Sequence, residues 1–150
     1  MQSNKESNER YTDSHVCQKE YVTWQQVDEF VDRLYKVVEE RDLHFSGVYG
    51  VPRGGLTLGV CVSHALDIPL LLAPAPGCLI VDDIVDTGRT LDKYKNLYPI
   101  ACMYFKQNNL FEPVFWCYEK TDTWIEFPWE RKLVEDKSED NEKEDVQTEE

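Results

Sequence analysis

The chain has 150 residues, 41% of them hydrophobic, and a formal net charge of −13, which suits one globular domain with a single core. Residues 135–150 hold nine acids against two lysines, so this short segment carries more than half of the net charge. A strongly acidic chain without a basic stripe argues against nucleic acid as a partner.

Both ends of the chain are polar and lack hydrophobic periodicity. We expect residues 1–19 to be a disordered amino-terminal segment, residues 20–132 to form the folded domain, and residues 133–150 to be an acidic disordered tail. The five cysteines form no C-x-x-C pair, which is typical of a reducing compartment. With no signal-peptide pattern and no long apolar span, we expect a soluble cytoplasmic protein that does not insert into a membrane.

The folded region opens with a helix signal. Thr23 and Gln26 form a capping-box pattern, and apolar residues follow at helical spacing, which predicts an amphipathic helix over residues 24–40. Residues 47–51 then form a short apolar run that predicts a buried strand.

A glycine-bearing turn follows this strand. Gly54 and Gly55 open a second apolar helix that is expected to end near Leu66. A turn of this kind at a helix N-terminus can bind an anion through backbone N–H groups, although a plain tight turn is the alternative. The predicted anion loop consists of Pro52, Arg53, Gly54 and Gly55.

Strands and one further helix alternate through the second half of the chain. We predict strands at residues 78–82, 100–105 and 114–118 and a helix at residues 89–97. The alternation favours an α/β fold with three layers, α/β/α, around a mostly parallel central sheet.

The most informative run covers residues 79–91, where a buried strand leads into Asp86 and a Thr-Gly-x-Thr pattern. These residues are typical of a loop that binds a sugar phosphate. Backbone N–H groups and threonine hydroxyls donate to the phosphate, and a glycine permits its close approach to the backbone. The predicted 5-phosphate loop consists of Asp86, Thr87, Gly88, Arg89 and Thr90.

Asp82 and Asp83 stand just before this loop and would repel a phosphate. They are better suited to accept hydrogen bonds from ribose hydroxyls or to hold a Mg²⁺ ion. Acids at the carboxyl end of a buried strand are also common in α/β proteins of other functions, so the pair alone decides nothing.

The run at residues 79–91 resembles the ribosyl-diphosphate signature of the type I phosphoribosyltransferases. The resemblance implies the fold of that family, phosphoribosyl diphosphate as donor, Mg²⁺ as cofactor and a catalytic role for Asp86. It also implies that residues 52–55 bind the departing pyrophosphate and that the peptide bond between Pro52 and Arg53 is cis.

An aromatic segment at residues 121–130 predicts a hood over a planar ligand. Its TWIEFPW run resembles the purine hood of xanthine-guanine phosphoribosyltransferases, and residues 21–24 resemble their amino-terminal segment. The resemblance implies that Trp124 stacks on the purine and that the Ile125 backbone meets the exocyclic group at C2. A surface patch or a dimer contact is the alternative for this aromatic run.

The same resemblance places Lys106 at the 6-oxo group of the base and Asp86 at N7. An ammonium matches the acceptor that a 6-oxopurine presents, while adenine presents a donor there. We therefore predict transfer of the 5-phosphoribosyl group to guanine, xanthine or hypoxanthine, as in purine salvage. The resemblance also implies a homodimer or homotetramer.

The chain departs from the family between the second helix and the acid-pair strand. Members carry a long mobile loop there, whereas this chain has only a few residues in the interval 70–77. A parallel strand needs a crossover of about a dozen residues before the next one, so we predict a sheet trimmed at this edge, with no complete strand in residues 68–77.

The missing loop leaves three outcomes open, because it excludes water from the reacting sugar. Another subunit or the amino-terminal segment supplies a lid, transfer is slow with loss to hydrolysis, or the chain is a regulatory module that binds nucleotide or phosphoribosyl diphosphate without catalysis. We expect transfer, because Asp86, Lys106 and Trp124 are useful together only if a base is held against the sugar.

Overall fold

The structure is a computed structural model that describes residues 18–107, 109 and 111–132. The predicted disordered ends therefore lie outside the described residues, except for Gln18 and Lys19, and Lys19 is the first residue of a strand.

Two helices and six strands make up the described chain, followed by a short 3₁₀ turn at Pro128–Glu130. In chain order the elements are β1 Lys19–Tyr21, α1 Trp24–Glu40, β2 Val48–Gly50, α2 Gly54–Leu66, β3 Leu79–Val85, β4 Ile100–Phe105, β5 Phe115–Glu119 and β6 Trp124–Glu126.

The central sheet has four strands in the order β2-β3-β4-β5, and every neighbouring pair is parallel. β1 and β6 form a separate two-stranded parallel sheet. The α/β fold with a mostly parallel central sheet, predicted from the sequence, is confirmed.

Helix α1 begins where the capping box predicts. The Gln26 backbone N–H donates to Thr23 Oγ1 at 3.2 Å, and the Thr23 N–H donates to Gln26 Oε1 at 2.9 Å. These two bonds satisfy donors that a helix start would leave without partners. The buried residues of α1 lie on one face, and they are Val27, Phe30, Leu34 and Val38.

Hydrophobic residues bury both faces of the central sheet. On one face α1 and α2 cover Leu79, Val81 and Met103. On the other face Leu91, Tyr94 and Tyr98 pack against the alternate residues of the strands, such as Ile80 and Cys102. Consecutive strand residues point to opposite faces, which is why the runs are apolar throughout.

The helix predicted at residues 89–97 is wrong, because the structure has consecutive turns there. The backbone hydrogen bonds of this segment span either three or four residues. The Tyr94 N–H donates to the Leu91 carbonyl, three residues back, and the Lys95 N–H donates to the same carbonyl, four residues back. Packing of this segment on the sheet fixes its side chains without requiring a regular helical ladder.

Three predicted strands differ at their ends. β2 is Val48–Gly50, one residue shorter at each end than predicted. β3 extends to Val85, three residues beyond the predicted end, because Ile84 and Val85 still pair with β4. The two acids therefore lie inside the strand near its carboxyl end. β5 begins and ends one residue later than predicted.

The predicted trimming of the sheet is confirmed. In residues 68–77 Leu70 makes a single parallel bridge to Val48, and the Leu71 N–H donates to the Val48 carbonyl at 2.7 Å. The chain then runs directly to β3, since four residues from Pro74 to Gly77 are too few for a parallel crossover.

Within the described ranges, neither helix combines the length and the apolar character that crossing a lipid bilayer requires.

Candidate functional site

Two glycines bring the turn before α2 against the acid pair of β3. A Cβ at Gly55 would lie 2.6 Å from the Val81 carbonyl oxygen and 2.9 Å from Asp82 Cα. A Cβ at Gly54 would lie 1.8 Å from Asp83 Oδ2. Only residues without side chains allow this approach, so the first predicted anion loop meets the acid pair at one edge of the sheet.

The peptide bond between Pro52 and Arg53 is cis, as the sequence resemblance implies. The Gly55 N–H donates to the Val51 carbonyl at 2.9 Å, so this amide closes the turn itself. Pro52 and Arg53 are exposed, and neither lines the cavities described below.

The two acids have different environments. Asp82 is only 7% exposed, whereas Asp83 is half-buried. Asp82 Oδ1 accepts the Asp83 backbone N–H at 2.8 Å, and Asp83 Oδ1 accepts the Ile84 N–H at 2.7 Å. Burial, together with the neighbouring Asp83, raises the pKa of the Asp82 carboxyl to about 8. Asp83 is therefore the acid that is open to a ligand, and Asp82 lies beneath it.

The acid pair fits a Mg²⁺ ion only if a substrate completes the coordination. Among the residues that the structure describes, no third acid, histidine or cysteine joins the two carboxyls as a ligand group. Mg²⁺ commonly uses one or two carboxylates and takes its other ligands from phosphates and water. Asp83, the accessible carboxyl, matches that donor set, while Asp82 lies beneath it.

Three residues of the predicted 5-phosphate loop, Thr87, Gly88 and Arg89, line an open cavity of about 400 Å³. Gly88 has φ of +77°, a conformation that favours glycine, and Thr87 Oγ1 accepts the Arg89 N–H at 3.4 Å. Lys95 also lines this cavity, where its ammonium pairs with Asp92 at 2.6 Å. Thr90 is exposed and does not line the cavity.

The predicted base-binding residues lie together around a second cavity of about 430 Å³. Its lining includes Asp86, Lys106, Lys120, Trp124, Ile125 and Glu130. Asp86 lines this cavity and the next residue, Thr87, lines the first one. The arrangement suits a ligand with a phosphate at one end and a ring at the other.

Asp86 and Lys106 face each other across the base cavity. Lys106 Nζ lies 3.4 Å from Asp86 Oδ1, and both side chains are about half exposed, at 48% and 49%. Their loops are adjacent because the Lys106 N–H donates to the Val85 carbonyl at 2.8 Å, which extends the β3–β4 pairing by one residue.

The hood is built on strand β6, which pairs with β1. The Trp124 side chain is 60% exposed at the mouth of the cavity, while the Ile125 side chain is buried. Farther along, the rings of Phe127 and Trp129 stack with centroids 4.8 Å apart, and Trp129 contacts Trp24 at 5.9 Å. Trp124 thus has a free ring face on a supported strand.

Several residues that line the two cavities were not among the predicted site residues, and three of them are Asn109, Lys120 and, inside the predicted hood, Glu130. Asn109 bonds to two loop carbonyls, Lys120 Nζ donates to the Thr123 carbonyl at 2.9 Å, and Glu130 lines the base cavity. Burial raises the pKa of Glu130, and the nearby Asp83 adds to the rise. Polar loop residues carry no periodicity, so no sequence signal marks them.

Comparison with known proteins places the chain in a family, although no protein-family model matches it. A xanthine-guanine phosphoribosyltransferase from Vibrio vulnificus is 30% identical over 146 residues, covering 79% of this chain and 94% of the relative. The chain belongs to the type I phosphoribosyltransferase family. Another xanthine-guanine phosphoribosyltransferase, from Cereibacter sphaeroides, is 35% identical over 118 residues, covering 57% of this chain and 70% of the relative.

Solved structures agree with the assignment. A purine phosphoribosyltransferase from Pyrococcus horikoshii superposes with a TM-score of 0.63 at 33% identity, over 77% of this chain and 97% of the other. The Helicobacter pylori xanthine-guanine-hypoxanthine phosphoribosyltransferase gives a TM-score of 0.65 at 20% identity, over 75% and 93%, which shows the shared fold. This type I phosphoribosyltransferase chain is therefore an enzyme of the transferase class.

Proposed function

We propose that this phosphoribosyltransferase transfers the 5-phosphoribosyl group from phosphoribosyl diphosphate to a 6-oxopurine and releases the nucleoside monophosphate and pyrophosphate. The observation that carries the proposal is the meeting of Asp86, Lys106 and Trp124 around one cavity beside the 5-phosphate loop. The names of the relatives, which are purine and xanthine-guanine enzymes, support the choice of acceptor.

The base cavity suits the edge of a 6-oxopurine that carries N7 and O6. The Lys106 ammonium donates to O6, Asp86 accepts from N7, and Trp124 stacks on the ring. An adenine ring would place an amino donor against the ammonium and leave both without partners. These contacts favour guanine, xanthine and hypoxanthine over adenine.

In the reaction a bond forms between a purine nitrogen and C1 of the ribose, while the bond from C1 to the pyrophosphate oxygen breaks. The bonding electron pair leaves with pyrophosphate, and the purine proton at N7 passes to Asp86. The 5-phosphate loop anchors one end of the donor, and residues 52–55 bind the other end. Asp83, with the buried Asp82 beneath it, accepts from the ribose hydroxyls.

A Mg²⁺ ion fits this scheme as a cofactor shared with the substrate. Asp83, with the buried Asp82 behind it, would hold the ion, with the remaining ligands supplied by the sugar and the diphosphate. When bound, the ion would offset negative charge on the diphosphate and favour its departure.

A second candidate is a regulatory module that binds nucleotide without transfer. The short connection in residues 71–77 favours it, because this stretch supplies no long loop to cover the sugar. The same observation is compatible with two other outcomes. Transfer is slow and accompanied by hydrolysis, or another subunit or the amino-terminal segment covers the sugar. We also propose that the chain acts in the cytoplasm as a homodimer or homotetramer. Light scattering of the purified full chain would give the mass of the assembly.

A Mg²⁺-dependent assay distinguishes these candidates. The full chain is incubated with phosphoribosyl diphosphate and guanine, xanthine, hypoxanthine or adenine, and both nucleotide and pyrophosphate are measured. We expect nucleotide from the 6-oxopurines and none from adenine. An Asp86→Asn variant should be about 10² to 10⁴-fold slower while remaining folded. GMP binding without nucleotide formation would favour the regulatory module instead.

A further inference from the structure

A side chain from the loop after β4 links the phosphate loop to the base-binding loop. Asn109 Nδ2 donates to the Asp86 carbonyl at 2.9 Å and to the Lys106 carbonyl at 2.7 Å. Both protons of one amide are thus used on the two residues that face each other across the base cavity. The contact to Asp86 joins positions 23 residues apart in the chain.

Gly88 leaves the space that this amide occupies. A Cβ at position 88 would lie 2.6 Å from Asn109 Oδ1 and 3.4 Å from the Phe111 ring. Besides adopting φ of +77°, Gly88 therefore allows the phosphate loop to close directly on Asn109. The oxygen end of the amide thus occupies the space that a side chain at position 88 would fill.

The spacing that Asn109 fixes matters for the base. Asp86 Oδ1 and Lys106 Nζ lie 3.4 Å apart, and N7 and O6 are neighbours on one edge of a 6-oxopurine. A carboxylate beside an ammonium matches a protonated N7 beside O6 only while the two main chains keep their relative position. A displacement of about 1 Å can cost about 10²-fold in rate.

We propose that Asn109 is a positioning residue that holds the main chains of Asp86 and Lys106 at the spacing needed to bind the N7–O6 edge of the base. The proposal rests on the proposed function and goes beyond it by assigning base recognition to a residue outside the base cavity. Because Asn109 also lines the phosphate cavity, the test must separate positioning from direct phosphate binding.

The test compares the wild type with N109A, N109D and a matched control, Q107A, in the same loop. Alanine removes both donors, and a carboxylate at position 109 has no proton to donate to a carbonyl. We expect N109A and N109D to lower kcat/KM for guanine and hypoxanthine by about 10 to 100-fold. KM for phosphoribosyl diphosphate should stay within about threefold, and Q107A, whose side chain is exposed, should behave as the wild type.

A double-mutant cycle with Lys106→Ala supplies a readout that a purely structural role would not move. If Asn109 acts through Lys106, the losses in kcat/KM for the base should be less than additive. Three results would overturn the proposal. The first is additive losses in the cycle, and the second is an unchanged kcat/KM for the base in folded N109A and N109D. The third is a rise that is confined to KM for phosphoribosyl diphosphate.

GMP binding keeps the proposal testable if the wild type does not transfer. Calorimetry should then show the same 10 to 100-fold weakening in the two Asn109 variants. If the wild type binds GMP without transfer, only the proposed function is overturned. The ratio of the Kd for GMP of each Asn109 variant to that of the wild type then decides the Asn109 proposal. A wild type that neither transfers nor binds GMP would overturn both.

Discussion

Asp82 and Asp83 are neighbours in sequence, but the fold gives them different roles. Asp83 is half-buried and lies against Gly54, while Asp82 is nearly inaccessible and accepts the Asp83 N–H. A buried carboxyl that favours its protonated form costs stability as the pH rises, because deprotonation places a charge in a poorly solvated position.

The first prediction concerns Asp82→Asn. The folded-state pKa of about 8 lies above the ordinary value of 3.8, so between these pH values the folded state binds more protons than the unfolded state. The free energy of unfolding should therefore fall as the pH rises from about 4 to about 8, with little further fall above. Asparagine should flatten this fall and raise stability at pH 8 by about 1 to 3 kcal/mol, since an amide keeps part of the burial cost.

Urea unfolding at several pH values, in buffer with a metal chelator, measures this effect. Asp122→Asn is a matched control, because Asp122 is exposed and should leave the pH dependence as in the wild type. Equal pH slopes for the wild type and D82N would show that the buried carboxyl is not the cause.

The second prediction concerns Trp124, whose ring is 60% exposed beside the base cavity. Stacking of a base on an aromatic ring contributes about 1 to 3 kcal/mol. Trp124→Ala should raise KM for the base or Kd for GMP by about 5 to 150-fold with little change in the melting temperature, and Trp124→Phe should retain most of the binding. If W124A binds GMP as tightly as the wild type, the Trp124 ring does not stack on the base.

At the scale of elements, the approach of α2 to the sheet depends on glycines. Gly55 lies against the backbone of β3, and Gly59 lies against Gly50 of β2, where a Cβ would be 2.9 Å from the Gly50 Cα. Backbone atoms cannot move aside as a side-chain end can, so these positions set how closely the anion loop meets the acid pair.

The third prediction compares two adjacent alanine variants. In Gly55→Ala the new methyl group meets the Val81 carbonyl and the Asp82 backbone, so we expect a loss of about 1 to 3 kcal/mol in unfolding free energy. In Gly54→Ala it meets only the carboxylate of Asp83, which can rotate away. G54A should therefore stay near wild-type stability while losing ligand binding, as measured by thermal melts and GMP titration. A G54A variant that is less stable than G55A would contradict this.

Elements with a strong local signal were predictable from sequence, and those that depend on distant partners were not. The capping box at Thr23 predicts the start of α1, and the apolar residues at helical spacing predict its length. By contrast, Lys19 to Tyr21 is polar and exposed, and it forms a strand only because it pairs with residues 124–126. The turns at residues 89–97 follow a helical apolar spacing, but packing of Leu91 and Tyr94 on the sheet decides their conformation.

Within the site, the motif residues were predictable and the bonds between them were not. The Thr-Gly-x-Thr pattern indicates the phosphate loop, and the resemblance to a purine hood indicates Trp124. Sequence spacing does not show which of the two acids is buried or which side-chain amide joins Asp86 to Lys106. Both depend on the packing of the folded chain.

At the scale of the whole molecule, the two anion loops lie at the carboxyl edge of one parallel sheet. The glycines at the start of α2 bring the first loop to the acid pair, and Gly88 shapes the second loop beside the base cavity. A sugar with a phosphate at one end and a diphosphate at the other spans such a pair of loops. The short connection in residues 71–77 leaves this edge without a long covering loop of its own.

The most direct measurement of this central claim is a crystal structure of the full chain soaked with phosphoribosyl diphosphate and Mg²⁺. The account predicts density for the 5-phosphate within residues 86–90, for the pyrophosphate at residues 52–55, and for the ribose beside Asp83. Crystals in which both loops remain empty at saturating donor would contradict it.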